Sequence, residues 1–428
     1  MQESFYLFSD TMHNRILQTI CLLALLLISF IGCSKDDIID HLSLRSSKNE
    51  TLYWDNNAIA SKRVESIMYN NEDGVKKYER FKIVHISDPH LSDKSPSNHY
   101  INPFNLKQAI QFANQQELRI NAIAATGDFI SNSDKKRAIL FLKSFISNFY
   151  YENYIPSFLC TGNHDCNAIE SISNSFIYQN ELHQILFAQN SLKTDASKNY
   201  YYSDVPNPQG GYIRFIALDM IDQPGNEYNT LKYASFTKEQ VDWLGNIALK
   251  EGMTNQHSIV ILEHFPFQRY NANATTYLCD GDFVHSWNMI PEIIEAYRSR
   301  TTLTKTYPNK LSKGKDISVD FDFTNSKGEF VCYLGGHSHI TTYFNVDGLE
   351  NEDPSLLPQK MLLCTNLAPS EKGVVYNRVE RTEDNLSSNS FNIYAIDTKE
   401  KKIYITFFGA YKPSDQPDYP EIQSIAYQ

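Results

Sequence analysis

The stretch FLCTGNHDC, residues 158–166, runs three apolar residues into a turn and then sets Asn163, His164 and Asp165 side by side. Four other stretches repeat that plan. FKIVHI (81–86) leads to Asp88-Pro89-His90, INAIAA (120–125) to Gly127-Asp128, HSIVIL (257–262) to His264, and EFVCYL (329–334) to Gly336-His337-Ser338-His339. Each run is short and apolar on both faces, the pattern of a strand buried inside a layered sheet. The polar residues stand at the C-terminal ends, where loops leaving the strands of an α/β fold converge on a ligand.

Helical patterns separate the runs. DKKRAILFLKSFISNFY (134–150) spaces Ile139, Leu142, Phe145, Ile146 and Phe149 at three and four. TKEQVDWLGNIAL (237–249) opens with Thr237 and Gln240 placed as a capping box before Val241, Leu244 and Ala248. Alternating strand and helix predict an α/β sandwich. VESIMYNNEDGVKKYERF (64–81) reads as two short strands around a turn at Asn71 to Gly74, and SFNIYAIDTKEKKIYITFFGA (390–410) as a hairpin turning at Asp397 to Lys401. Residues 266–318 carry the weakest periodicity and read as an inserted loop region with a short helix near IPEIIEAYRS (290–299). The domain expected from these elements spans 51–428.

The chain has 428 residues, 42% of them hydrophobic, with a net charge of -11 and a pI near 5.6. That composition supports a sizeable core and excludes a broad basic surface for nucleic acid, so the expected partner is small. After Arg15 the chain is uncharged from Ile16 through Ser34, the layout of a secretory signal. FIGC (30–33) resembles a bacterial lipoprotein cleavage box, which implies lipidation of Cys33 and an exported protein tethered to the outer membrane, facing the periplasm or the cell surface. Phe30 stands where such boxes usually have Leu. A single transmembrane anchor and plain cleavage are the alternatives, and Met12 competes with Met1 as initiator. Residues 34–50, polar and aperiodic, read as the tether. Cys160, Cys166, Cys279, Cys332 and Cys364 remain after the signal and form no C-x-x-C pair, which excludes zinc-ribbon and thioredoxin sites.

Taken in order, D-x-H, G-D, G-N-H-D, H and G-H-x-H resemble the calcineurin-like metallophosphoesterases over about Lys82 to Thr342. The resemblance implies a four-layer αββα sandwich of mixed sheets with a dinuclear metal site at the strand ends. It implies that Asp88, His90 and His339 hold one metal, that Asn163, His264 and His337 hold the other, and that Asp128 bridges them. Neutral imidazoles and hard oxygens without thiolate suit Mn, Fe or Zn. Two such ions acidify a water and clamp the reacting oxygens of a phosphate ester. The implied reaction is hydrolysis of a phosphomonoester or phosphodiester by a metal-bridging hydroxide. His164 is then expected to face the substrate as acid or charge stabiliser, with Asp165 orienting its ring. Purple acid phosphatases place a metal-binding Tyr three residues after the bridging Asp; Ser131 stands there instead. The alternative function is a non-catalytic surface binding or scaffold lipoprotein that keeps the fold. Among the other histidines, His85 reads as a packed core residue. His183, His257 and His285 read as peripheral, although His285, near Cys279, Asp280 and Asp282, is placed to reach a substrate.

Overall fold

In the computed structural model the described residues are 53–72, 75–92, 96–151, 153–168, 175–188, 198–222, 236–267, 288–308, 316–346, 355–367, 386–410 and 420–428. The expected signal, the tether, Cys279, Asp280, Asp282 and His285 lie outside them. Among the described residues no helix is long and apolar enough to cross a membrane.

Helix α1 (53–68) runs into the hairpin β1 (Tyr69–Glu72) and β2 (Val75–Glu79). This differs from the two strands expected over 64–81. Tyr53, Ala60, Val64 and Met68 are buried at helical spacing, so Val64 to Met68 finish an amphipathic helix that begins before the stretch first read as strand. The five apolar runs become β3 (Phe81–Ile86), β4 (Ala122–Thr126), β5 (Ser157–Cys160), β8 (His257–Leu262) and β11 (Glu329–Gly335). Between them lie α2 (Pro96–Ala113), α3 (Lys135–Ile146), α4 (Gln179–Leu182), β6 (Tyr201–Pro206), β7 (Tyr212–Ala217) and α5 (Lys238–Trp243). Helix α6 (Met289–Arg298) stands where a short helix was expected, whereas the hairpin β9 (Thr302–Tyr307) and β10 (Ile317–Asp322) occupies a stretch read largely as loop. Strict alternation in ISVDFD, with Ile317, Val319 and Phe321 buried, makes β10 a one-faced strand. The chain closes with β12 (Thr342–Asn345), β13 (Lys360–Leu363), β14 (Ser390–Asp397), β15 (Lys402–Gly409) and β16 (Gln423–Ala426).

Two six-stranded mixed sheets result, ordered β16-β15-β14-β3-β4-β5 and β12-β13-β11-β8-β7-β6. In the first, β3, β4 and β5 are parallel and form one half, with antiparallel β14, β15 and β16 as the other; in the second, parallel β13, β11, β8 and β7 are flanked by antiparallel β12 and β6. Phe158 stacks on Phe215 with centroids 4.2 Å apart, one ring from each sheet, so the inner faces pack directly. Along β7, Ile213, Phe215 and Ala217 join that inner core while Ile216 faces the outer layer with Trp243, Leu244 and Ile293. Phe112 of α2 packs on Phe391 and Phe408, and Phe145 of α3 stacks on Phe129, covering the opposite outer face. The architecture is an αββα sandwich.

Register brings the ligand loops out together. Ile86 pairs with Ala125, Thr126 with Cys160, and Leu262 with both Ala217 and Leu334. The parallel strands therefore end at one level, and an isolated bridge between Ser87 and Asn366 joins the two sheets there. At the start of α5 Thr237 accepts from Gln240 N, but only half of the expected capping box forms. The Gln240 amide turns instead to Asp219, accepting from its N–H at 2.8 Å and donating to its carbonyl at 2.9 Å.

Candidate metal centre

Backbone strain concentrates at the strand ends. Among the described residues nine non-glycine positions have positive φ, and five of them are Asp88 (50°), His90 (45°), Asp128 (52°), His337 (65°) and His339 (52°). Left-handed conformation at such residues costs on the order of 1–3 kcal/mol each and persists only where the surroundings enforce it. Here Asp88 N donates to Gly127 O, His90 N to Asp128 O, and Gly336 N to His264 O, tying the loops to one another. A Cβ on Gly162 would collide with Asp128 N and its carboxylate, and one on Gly336 with Ser87 Oγ, so glycine permits both close approaches.

The side chains converge in two groups. His339 Nε2 lies 3.2 Å from Asp88 Oδ1 and 3.0 Å from His90 Nε2. On the other side His264 Nε2 lies 3.1 Å from Asn163 Oδ1 and 3.2 Å from Asp128 Oδ2, and His337 Nδ1 lies 3.2 Å from Asn163 Oδ1. Asp128 Oδ2 is also 3.8 Å from His90 Nε2, so this carboxylate reaches both groups. All seven residues expected as ligands are thus brought together.

The donor set fits divalent cations. Asp88 Oδ1 is buried with no hydrogen-bond donor, an expensive arrangement for a carboxylate oxygen unless a cation meets it. His264 donates from Nδ1 to Thr126 O at 2.6 Å, which turns Nε2 toward the cluster. Burial pulls this ring down, but Asp128 and Asp88 outweigh it and raise it to about 10, so a cation there would displace the Nε2 proton. Burial holds His90 and His337 down to about 3, keeping those rings in the neutral form that binds metal. Burial acts on Asp88 in the upward direction, but His339 outweighs it and holds the carboxyl at about 2.

His164 sits at the mouth with its side chain 29% exposed, its N–H donating to Asp128 Oδ1 at 2.8 Å and its Nε2 3.9 Å from Asp128 Oδ2. Its ring is not oriented by Asp165, contrary to the expectation from sequence. Asp165 is fully buried and accepts from Gly162 N, Asp128 N and Phe129 N at 2.8, 3.1 and 2.7 Å. It is a clamp on the two metal loops. The group facing His164 Nδ1 is Asn132 Oδ1 at 3.2 Å. An amide oxygen there favours the Nδ1–H tautomer and turns Nε2 toward the cluster. Sequence gave no signal for Asn132 beyond its place four residues after Asp128.

His85 is buried, with Nε2 2.8 Å from Thr126 Oγ1 and Nδ1 3.2 Å from Tyr394 Oη. His183 meets Asn199, and His257 meets Thr254 and Asp204; neither reaches the cluster. Among the described residues Cys160, Cys166, Cys332 and Cys364 are buried, and Cys364 Sγ donates to His85 O at 3.2 Å.

One carboxyl beside the centre carries a pH signature. Asp219 follows β7, accepts from Thr161 Oγ1 at 2.5 Å, and is pushed by burial and by Asp222 from 3.8 to about 7. A carboxyl raised in this way stabilises the fold while protonated, below its unfolded value, and that contribution is lost as pH climbs through about 7. Asp219→Asn should therefore flatten the fall in melting temperature between pH 4 and 7 and leave the variant the more stable protein at pH 8. An unchanged pH profile would show that Asp219 is ionised throughout.

Residues 81–285, which carry five of the seven clustered residues, match the Calcineurin-like phosphoesterase family model. The matched span ends before His337 and His339, which the fold returns to the site from β11. No curated protein matches the chain in sequence. Among solved structures, the purple acid phosphatase PPD1 of yellow lupin (Lupinus luteus) is 12% identical at a TM-score of 0.43, with 82% of this chain and 54% of that one covered. This chain thus spans about half the length of the lupin protein. PhoD is 11% identical at a TM-score of 0.41, covering 83% and 70%. Vps29 of Chaetomium thermophilum is 10% identical at a TM-score of 0.26, covering 82% and 97%.

Proposed function

We propose that the protein hydrolyses a phosphomonoester or phosphodiester at a centre of two divalent ions, Mn, Fe or Zn. The observation that carries this reading is Asp128, a buried carboxylate within reach of both imidazole groups. Asp88, His90 and His339 would hold one ion, Asn163, His264 and His337 the other, and Asp128 both. When bound, the ions acidify a water and compensate the charge of the phosphate. The chain's own residues do the rest. Asp165 fixes the Gly162 and Asp128 loops at a set separation. Asn132 keeps Nδ1 of His164 protonated, so that a second proton taken from solvent sits on Nε2 and passes to the leaving oxygen. Partial exposure of His164 keeps that proton exchangeable.

The uncharged segment ending in FIGC supports export and lipidation at Cys33, with the enzyme held at the outer membrane; fatty-acid labelling of the native protein and of Cys33→Ala tests this. Catalysis is tested with chromogenic phosphate mono- and diesters in added Mn²⁺. Hydrolysis of at least one class, abolished by chelation and restored by Mn²⁺, is expected. Inertness toward both classes with the centre loaded would favour the scaffold reading.

A further inference from the structure

Asp88 uses its two oxygens differently. Oδ1 faces His339 and His90 and has no hydrogen-bond donor, whereas Oδ2 accepts from Ser87 Oγ at 2.5 Å and from His337 N at 3.1 Å. The Ser87 bond is the last of a series that begins on the far sheet edge. Thr341 Oγ1 lies 3.3 Å from Asn392 Oδ1, and Asn392 Nδ2 lies 2.8 Å from Tyr394 Oη. Tyr394 Oη lies 3.2 Å from His85 Nδ1, and His85 Nε2 lies 2.8 Å from Thr126 Oγ1. Thr126 Oγ1 then meets Ser87 Oγ at 2.9 Å. Every member between Asn392 and Asp88 is at most 1% exposed.

The direction of this series is fixed by its ends. The Asn392 Nδ2 amide only donates, and an ionised carboxylate only accepts. Tyr394 must therefore direct its hydroxyl proton at His85 Nδ1, which places the imidazole proton on Nε2, facing Thr126. Thr126 in turn donates to Ser87, and Ser87 to Asp88. Bonds aligned in this way polarise one another, so each adds positive character at the Ser87 proton and favours the anion of Asp88. Holding Oδ2 also fixes the rotamer that leaves Oδ1 for a cation.

We propose that this relay from Thr341 to Asp88 positions and polarises the Asp88 carboxylate for cation binding, making His85 and Tyr394 positioning residues of the metal centre. The inference rests on the metal reading above. Asn392 and Tyr394 lie on β14, outside the span matched by the family model. A purely structural role, tying β3, β4 and β14 together, would lower stability without changing how tightly a cation binds.

The test is calorimetric titration of metal-free protein with Mn²⁺. Tyr394→Phe keeps the ring and removes one hydroxyl; it should weaken binding by about tenfold, the lower end for lost outer partners of metal ligands. Tyr427→Phe, which removes a buried hydroxyl without a hydrogen-bond partner, should leave binding unchanged. His85→Leu should weaken binding as Tyr394→Phe does, and His85→Gln, which can accept and donate in the same places, should recover part of it. This pair decides the question if Tyr394→Phe does not fold. Equal Mn²⁺ affinity in Tyr394→Phe and unsubstituted protein, or equal affinity in His85→Leu and His85→Gln, would overturn the relay. Absence of Mn²⁺ binding by the unsubstituted protein would overturn the metal reading itself and the relay with it.

Discussion

Asp128→Asn should reduce phosphate-ester hydrolysis by about a thousandfold or more even at saturating Mn²⁺. The carboxylate is the group that reaches His90 on one side and His264 on the other, at 3.8 and 3.2 Å. An amide of the same shape removes the negative charge between two cations, and several kcal/mol of lost stabilisation converts to about that factor in rate. The fold should persist, because the backbone bonds at Asp128 are made by its N–H and carbonyl, to Asp165 Oδ2 and His90 N. Steady-state kinetics together with circular dichroism of the variant checks both parts. Retained activity in a folded Asp128→Asn protein would remove Asp128 from the centre.

His164→Ala should behave differently. General acid catalysis contributes about 10²–10⁴ in rate, so kcat should fall within that range while Mn²⁺ affinity stays unchanged. The loss should be steepest for esters with poor leaving groups, which need the proton most, and small for nitrophenyl esters. A uniform loss across leaving groups, accompanied by weaker Mn²⁺ binding, would instead make His164 a ligand. That alternative has a geometric basis, since His164 shares a cluster with His90 and Asp128.

Much of this site was legible because the strands that carry it are buried on both faces, so their sequence is predominantly apolar and is followed by polar residues. FKIVHI and HSIVIL coincide with β3 and β8 residue for residue. Sequence order also separates Asn163 from His164, whose roles differ although they adjoin. It does not show where a side chain points from a tight turn. Asp165 follows His164, yet its carboxylate turns back into the Gly162 and Asp128 backbones while Asn132, thirty-two residues away, takes the His164 ring. Residues 64–68 read as strand for another reason: Val64 to Met68, taken without Tyr53 and Ala60, show too little of the helical period. The 302–322 hairpin was missed although ISVDFD alternates cleanly, because the weak periodicity around it set the reading of the whole region. Asn392 and Tyr394 reach Asp88 only through the β14 to β3 register, which pairs Asn392 with His85 and which no local pattern encodes.

The account stands or falls on metal stoichiometry. Protein stripped by chelator and titrated with Mn²⁺ should bind two ions per chain, with ester hydrolysis rising as the second ion is taken up. Binding of fewer than two ions, or full hydrolysis by the stripped protein, would contradict it.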